Sequence, residues 1–352
     1  MKIIHTADLH IDSPLSLDLN PAFQKDRKRE LLYNFERLIN YANDNGVHII
    51  LISGDLFDDN KISLKSQSYV LGLIESNSNI DFYYTAGNHE EETYLSSLEK
   101  YPNNLKIFTN TWSTYSYEEF DITGINYNEV SKKYLYDSLS LKKDKINIVI
   151  MHGALTGENK IDISKLKDKN IDYLALGHTH QYQCKPLDSR GVYVYPGCLE
   201  GLNFNETGVK GFSLIEINDY ELKSSFMPYS IRTIHDIKID ISKCDSWNDI
   251  EILTLDTIKD IPNQDIVQVR LVGSYSLEIN KNLESLEEKI ALLFYFSRLI
   301  DDSKFTINMK KYVNDVSLKG EFIRNVMNSN LSQEEKAKVI EYGIKALIKE
   351  AK

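Results

Sequence analysis

The sequence predicts a layered α/β protein, followed by a small α+β unit and a C-terminal helical segment. Three observations support this fold class. Short apolar runs without polar alternation are typical of strands buried on both faces. Apolar residues at helical spacing lie between the first and the second of these runs. The length of 352 residues exceeds what a single hydrophobic core usually supports. We therefore expect two or three folded units.

Five apolar runs in the first part of the chain end in polar residues. They are KIIHTADLH, VHIILISGDLFD, FYYTAGNHE, INIVIMHG and IDYLALGHTH. After the first run, apolar residues recur at helical spacing from Leu31 to Ala42, and Gly46 is placed to end that helix. A second helix is predicted in LKSQSYVLGLIESN, and further strands in GVYVYPG, KGFSLIEI and ELKSSFMPYS. This alternation favours helices layered on a central sheet.

The pattern changes after about residue 230. Residues 231–315 read as strand IRTIHDIKIDI, helix SWNDIEILTLDTIKD, strand DIVQVRLVGSY, helix LESLEEKIALLFYFSRLI and strand KFTINMKKYV. Residues 316–352 read as two helices, the second beginning after Ser332 with Glu335 at capping-box spacing. We therefore expect three parts, with boundaries at 1–230, 231–315 and 316–352.

Charge and composition limit the classes of partner. The formal net charge is -11, and residues 1–231 carry 23 basic and 32 acidic side chains. A negative net charge disfavours binding to nucleic acid over a broad surface. No apolar run reaches the roughly 20 residues that cross a bilayer, and the first residues lack the apolar segment of a signal peptide. With three scattered cysteines and no disulfide framework, the cytoplasm is the expected location.

The polar residues at the ends of the apolar runs form a candidate metal site. Ligands of α/β sheets gather at the carboxyl ends of strands, so these side chains are expected to converge. The carboxylate of Asp55 can bridge two ions, which no imidazole can do. Mixed carboxylate, amide and imidazole donors suit manganese, iron or zinc better than calcium. The candidate ligands are Asp8, His10, Asp55, Asn88, His152, His178 and His180.

Such a site predicts hydrolysis of a phosphate ester. Two divalent cations about 3.5 to 4 Å apart hold a hydroxide between them and clamp the oxygens of an in-line displacement. His89 lies beside Asn88 but outside the ligand set, so it is the candidate for protonating the leaving oxygen or stabilising the transition state. Each motif alone has an ordinary explanation as a turn, a cap or an interior histidine. Their order, each at the end of an apolar run, favours the metal site.

The ordered motifs resemble the calcineurin-like metallophosphoesterase superfamily over roughly residues 1–215. HTADLHIDSPL, GDLFD, GNHE, GHTH and YPGCLEGLNFNETGVKGFSLIEI look like its DNA-repair exonuclease branch, which includes the bacterial SbcD-type subunits and their YhaO-like relatives. The resemblance implies a layered metallophosphoesterase sandwich, a small α+β capping domain and a C-terminal helical segment that docks on a coiled-coil ATPase.

The resemblance also implies a role for each site residue. The resemblance assigns one metal to Asp8, His10, Asp55 and His180, and the other to Asp55, Asn88, His152 and His178. His89 is then the catalytic histidine and manganese the usual cofactor.

Two departures from the family pattern bear on catalysis and on phosphate contacts. Asp58 stands where some relatives carry a second catalytic histidine. Leu202 and Asn203 stand where relatives often carry basic side chains, which leaves phosphate contacts from that loop without support.

Three functions stay open on the sequence. A DNA exonuclease subunit of an SbcCD-like complex would need an SbcC-like ATPase partner, because an acidic chain alone binds DNA weakly. A phosphodiesterase or phosphatase for small nucleotides fits the acidity but gives residues 231–352 no task. A scaffold with a vestigial site is disfavoured, because every ligand and His89 are present. Whether the chain forms a homodimer is also open.

Overall fold

The chain folds as two units, Met1–Thr233 and Ile234–Lys352. The computed structural model describes residues 1–13, 21–58, 63–88, 100–126, 133–157, 160–276, 279–306, 312 and 314–350. The separation of 231–315 from 316–352 stays a prediction.

The described residues of the first unit form two six-stranded sheets. The strands of the first sheet are β1 Lys2–Thr6, β2 Ile49–Ser53, β3 Asp81–Thr85, β4 Leu105–Ile107, β11 Gly211–Asn218 and β12 Glu221–Pro228. The strands of the second are β5 Ser113–Ser116, β6 Phe120–Gly124, β7 Ile146–His152, β8 Tyr173–Gly177, β9 Gln183–Pro186 and β10 Val192–Tyr195. Their orders are β12-β11-β1-β2-β3-β4 and β5-β6-β7-β8-β10-β9.

Helices cover the outer face of each sheet. On the first sheet lie α1 Pro21–Asp44 and α2 Leu64–Ser76, and on the second lies α3 Lys133–Ser138. Alternate residues of β2 divide between two cores, since Leu51 packs in the apolar cluster between the sheets and Ile50 packs against the helices. The result is a helix–sheet–sheet–helix sandwich, which confirms the predicted layered α/β fold.

Strand direction brings the candidate site together. β1, β2 and β3 pair in parallel, as do β7 and β8, so the carboxyl ends within each group lie at one edge. Asp8, Asp55 and Asn88 follow the first three strands, His152 ends β7, and His178 follows β8 directly. The edge of the sandwich therefore gathers residues as distant as Asp8 and His178, which are 170 positions apart in sequence.

The second unit contains a parallel sheet with the order β13-β14-β16. Its strands are β13 Ile234–Asp240, β14 Ile266–Val272 and β16 Phe296–Asp301, and β15 Ser274–Tyr275 pairs with β17 Lys304–Phe305. Helices α4 Trp247–Ile258 and α5 Leu283–Ala291 pack on the three-stranded sheet. Two more helices follow, α6 Leu318–Met327 and α7 Gln333–Glu350. No described helix of either unit is both long and apolar enough to cross a membrane.

One predicted element of this unit was wrong. The helix predicted to run through LLFYFSRLI ends at Ala291, and Phe296–Asp301 is a strand that pairs with β14. A short apolar run fits a buried helix and a buried strand equally well, and the backbone pairing with β14 decides for the strand. The strand predicted from residue 304 is described only over Lys304–Phe305, and residues 307–311 lie outside the described residues.

The predicted start of the last helix is confirmed. The backbone N–H of Ser332 donates to Glu335 Oε2 at 2.8 Å, and the Glu335 N–H donates to Ser332 Oγ at 3.3 Å. These two bonds are the reciprocal pair of a capping box, and they satisfy N–H groups that the first helical turn leaves without a partner.

Candidate metal centre

The candidate ligands sit on sharply turned backbone just beyond their strands. Asp8, His10, Asp55 and His178 all have positive φ, at 53°, 44°, 51° and 106°. Residues other than glycine rarely adopt this region, and such strain concentrates at functional sites. Backbone hydrogen bonds hold the turns, since Asp8 N donates to Gly54 O at 3.1 Å and His10 N donates to Asp55 O at 3.0 Å.

A first donor group forms around two facing histidines. Nε2 of His10 lies 3.0 Å from Nε2 of His180, and the carboxylate of Asp8 lies within reach of both. Two atoms bound to one ion at about 2.1 Å and at right angles lie about 3.0 Å apart. Asp8 is fixed from behind, because the backbone N–H of His178 donates to its two oxygens at 2.9 and 3.0 Å. This spacing fits two neighbouring ligands of a single cation.

A second donor group forms around the side-chain oxygen of Asn88. That oxygen lies 2.9 Å from His152 Nε2 and 2.8 Å from His178 Nδ1. The other ring nitrogen of His152 bonds to the carbonyl of Ser53 at 2.8 Å, which places the Nδ1 proton there and leaves Nε2 as the donor atom. A neutral oxygen and two imidazole nitrogens thus face one another.

Asp55 joins the two groups. Its Oδ2 lies 3.7 Å from His10 Nε2 in the first group and 3.5 Å from His152 Nε2 in the second. The carboxylate is buried, and it is the only candidate ligand that the resemblance assigns to both metals. The residues present therefore fit a pair of cations bridged by this carboxylate.

Three glycines give the site its close packing. A Cβ built on Gly87 would overlap Oδ1 of Asp55, and one on Gly54 would overlap the ring of His152. A Cβ on Gly177 would overlap the carbonyl oxygen of Ser53. Each glycine immediately precedes a candidate ligand, so the backbone approaches its neighbours more closely than any side chain allows.

Burial and charge make the site favour a cation. Burial, reinforced by the Asp55 carboxylate, raises the pKa of Asp8 to about 7. Burial lowers the pKa of His152 to about 4 and keeps the ring neutral, as a ligand requires. Burial also disfavours protonated His180, but its contacts with Cys198, Glu206 and Asp8 outweigh this and raise the His180 pKa to about 11. The groups around His180 therefore favour a positive charge at this position.

The structure adds residues that the sequence analysis did not name as parts of the site. Glu206 Oε1 lies 3.1 Å from Nδ1 of His180, and Asp58 Oδ1 lies 3.4 Å from Nδ1 of His10. No spacing rule signals these contacts, because they depend on the paths of two loops. The predicted catalytic residue His89 lies outside the described residues, and its role stays a prediction.

The family model for calcineurin-like phosphoesterases matches residues 1–182. The match covers more than half of the chain, and the chain belongs to this family. Members hydrolyse phosphoesters at a dinuclear metal centre, and the two donor groups joined by Asp55 are the candidate for that centre here.

Proteins similar to the chain include two known sequences and one solved structure. The uncharacterized metallophosphoesterase YhaO of Bacillus subtilis is 27% identical over 256 residues, which cover 67% of this chain and 61% of YhaO. The DNA double-strand break repair protein Mre11 of Methanocaldococcus jannaschii is 24% identical, covering 95% of this chain and 96% of Mre11. The structure of TT1561 from Thermus thermophilus covers 64% of this chain and 98% of its own, with 14% identity and a TM-score of 0.44.

Proposed function

We propose that this chain is a two-metal phosphodiesterase that cleaves DNA as the exonuclease subunit of an SbcCD-like repair complex. The observation that carries the two-metal part is the position of Asp55 Oδ2 between the two donor groups. The DNA part is supported by the similarity to Mre11, which extends along both structural units rather than the first alone.

Each donor group would hold one ion. Asp8, His10 and His180 would hold the first, Asn88, His152 and His178 the second, and Asp55 both. Manganese is the proposed metal, and iron or zinc would suit the same donors. When bound, the pair of ions supplies a nucleophile at neutral pH and charge stabilisation for the phosphate.

Hydrogen bonds within the chain orient candidate ligands for that chemistry. The carbonyl of Ser53 fixes the His152 ring, and the backbone N–H of His178 fixes the Asp8 carboxylate. These donor atoms therefore need little rearrangement to bind an ion. His89 is proposed to protonate the leaving oxygen or to stabilise charge on it. The His89→Ala variant should bind Mn²⁺ normally and cleave phosphodiesters far more slowly, and unchanged hydrolysis would remove His89 from the mechanism.

Charge makes a partner part of the proposal. With a net charge of -11, the chain alone should bind DNA weakly and with a steep dependence on salt. An SbcC-like ATPase in the cytoplasm would supply the missing positive surface. Deleting residues 316–352 should leave the first unit folded and abolish binding to that ATPase. Retained ATPase binding would place the docking surface elsewhere.

A second candidate function is hydrolysis of small phosphoesters such as nucleotides. The acidity favours it, and so does the loop after β10, where Leu202 is buried and Asn203 donates to Glu206 instead of facing a phosphate chain.

One comparison separates the two functions. Purified chain with Mn²⁺ is assayed on linear duplex DNA, on single-stranded DNA and on small nucleotide esters, with Asp55→Asn as the inactive control. Cleavage of DNA supports the nuclease, and activity confined to the small esters would favour the second candidate.

A further inference from the structure

Behind the candidate metal centre, two carboxylates each lie close to the Nδ1 atom of a histidine. The two histidines face each other. An imidazole donates through one nitrogen and binds a metal through the other, so the partner of Nδ1 decides where Nε2 points. In His180, Nδ1 lies 3.1 Å from Glu206 Oε1 and Nε2 faces His10. In His10, Nδ1 lies 3.4 Å from Asp58 Oδ1 and Nε2 faces His180.

Glu206 is itself held in place. Its Oε2 accepts the backbone N–H of Leu202 at 2.9 Å, and its Oε1 accepts Asn203 Nδ2 at 2.6 Å. The backbone of His180 is anchored as well, because Lys210 Nζ donates to its carbonyl oxygen at 2.8 Å. The carboxylate and the backbone that carries the His180 ring are therefore both held by hydrogen bonds within the chain.

Asp58 is placed by backbone pairing. Its N–H donates to the carbonyl of Ile11 at 3.2 Å, one residue beyond His10. The side chain is 15% exposed, so the carboxylate is screened from most of the solvent. The turn that carries the bridging Asp55 thus also brings a carboxylate to the outer nitrogen of His10.

The second donor group is backed differently. His152 Nδ1 bonds to the neutral carbonyl of Ser53, and the central oxygen of this group belongs to the neutral amide of Asn88. In the first group, by contrast, both His10 and His180 meet a carboxylate at Nδ1. The two donor groups therefore differ in the charge of the groups that contact them: carboxylates lie beside His10 and His180, and a neutral carbonyl lies beside His152.

We propose that Glu206 and Asp58 are positioning residues that hold His180 and His10 as a matched pair, each presenting Nε2 to the same cation. This inference rests on the proposed dinuclear centre. Loss of either carboxylate should free one ring to rotate and weaken the ion held by the His10–His180 pair. The ion held by Asn88, His152 and His178 should be affected much less.

The test is calorimetric titration of the full-length, metal-free chain with Mn²⁺. The wild type should take up two ions. Glu206→Ala should weaken one of them by about 10- to 100-fold, the usual effect of removing such a partner. Glu206→Gln should weaken it less, because the amide keeps an oxygen beside Nδ1 of His180. Asp58→Ala and Asp58→Asn should repeat this order at His10.

Two control variants separate positioning from a general loosening. Glu221→Gln removes a carboxylate that is 76% exposed and should bind Mn²⁺ as the wild type does. Asn203→Ala removes one of the hydrogen bonds that hold Glu206 and leaves the carboxylate itself, so it should weaken binding less than Glu206→Ala does. Thermal unfolding of each metal-free variant checks that it is folded.

The outcomes distinguish this inference from the function on which it rests. Two-ion uptake that is unchanged in Glu206→Ala and Asp58→Ala would overturn the positioning role and leave the metal centre standing. An effect of Asn203→Ala as large as that of Glu206→Ala would assign the loss to the loop and overturn it too. A wild-type chain that takes up no Mn²⁺ would overturn the dinuclear centre itself.

Discussion

At the scale of single residues, the site depends on positions where the backbone has no room for a side chain. The Cα of Gly87 lies so close to Asp55 that an added methyl group would overlap the carboxylate and its backbone N–H. Because Asp55 lies between both donor groups, a small shift there changes the geometry of both.

We therefore expect Gly87→Ala to lower Mn²⁺ affinity by about tenfold or more, as displaced support for a ligand does. Gly72→Ala is the matched control. Gly72 lies within α2 with open space around its Cα, so alanine should stabilise the chain by about 0.5 to 1 kcal/mol through helix propensity. Titration with Mn²⁺ and urea unfolding measure the two effects, and equal Mn²⁺ affinity in both variants would contradict this account.

A buried histidine outside the ligand set predicts how stability depends on pH. His5 lies between Tyr173 Oη at 2.9 Å and Ser53 Oγ at 3.0 Å, and burial lowers its pKa to about 3. In the unfolded chain His5 binds a proton below about pH 6.5, whereas in the folded chain it binds one only below about pH 3. Stability therefore falls as pH drops through that window, by up to about 1.4 kcal/mol per pH unit for this one proton.

His5→Gln should flatten that slope even though it costs stability at neutral pH. Urea unfolding of the metal-free chain at a series of pH values between neutral and mildly acidic gives the slopes. His48→Gln, at an exposed position, should keep the wild-type slope. Identical slopes for wild type and His5→Gln would show that other groups carry the acid sensitivity.

The residue scale also shows what sequence reasoning reaches. The strand-end motifs predict which side chains converge, because each lies where a buried apolar run ends, and the structure brings those that it describes within contact distance. Their role as ligands stays a prediction. Glu206 was missed because its contact with His180 closes a long stretch of loops and strands, which no periodicity encodes.

At the scale of elements, the sequence predicts a helix or a strand reliably where the apolar residues follow a single period. Helix α1 follows its apolar spacing, and Leu38 and Phe35 are fully buried against the first sheet. The run after Ala291 fits two periods, so only its pairing with β14 distinguishes strand from helix. Capping by Ser332 was predictable because it involves neighbours in sequence.

The pair of C-terminal helices is held by a small apolar cluster. Its buried members include Ile323 of α6 and Ile340 and Ile344 of α7. Ile340→Ala should cost about 2 to 5 kcal/mol, the usual range for a buried isoleucine. Tyr342→Ala, at a side chain that is 71% exposed, should change stability by less than about 0.5 kcal/mol.

Hydrogen exchange locates the effect of that substitution. Amides of α6 and α7 should exchange faster in Ile340→Ala, while those of β13 and β14 should keep their protection, because the sheet has its own core. Faster exchange throughout the second unit would mean that the helices and the sheet unfold together.

At the scale of the whole molecule, all the candidate metal ligands belong to the first of two units. A ligand that binds only the folded state stabilises by RT ln(1 + [L]/Kd), which is about 2.7 kcal/mol at about 100 times Kd. Mn²⁺ should therefore raise the unfolding temperature of Met1–Thr233 directly.

Calorimetry of the full chain with and without Mn²⁺ measures this shift. The transition of Ile234–Lys352 should stay where it is, and Asp55→Asn should abolish the shift of the first unit. A single transition that moves as a whole would show that the two units unfold cooperatively. The sequence predicts the change of architecture near residue 230, but the strength of coupling between units depends on surfaces that no pattern in the chain specifies.

The spread of the donor atoms along the chain has a consequence for biosynthesis. His180 emerges from the ribosome 170 residues after His10, and Glu206 emerges later still. At about 5 to 20 residues per second, the growing chain passes many seconds with Asp8 and His10 made and His180 still missing. If these donors bind a metal as proposed, uptake by the complete first donor group follows synthesis of strands from both sheets, and the ion stabilises a formed fold rather than directing its formation.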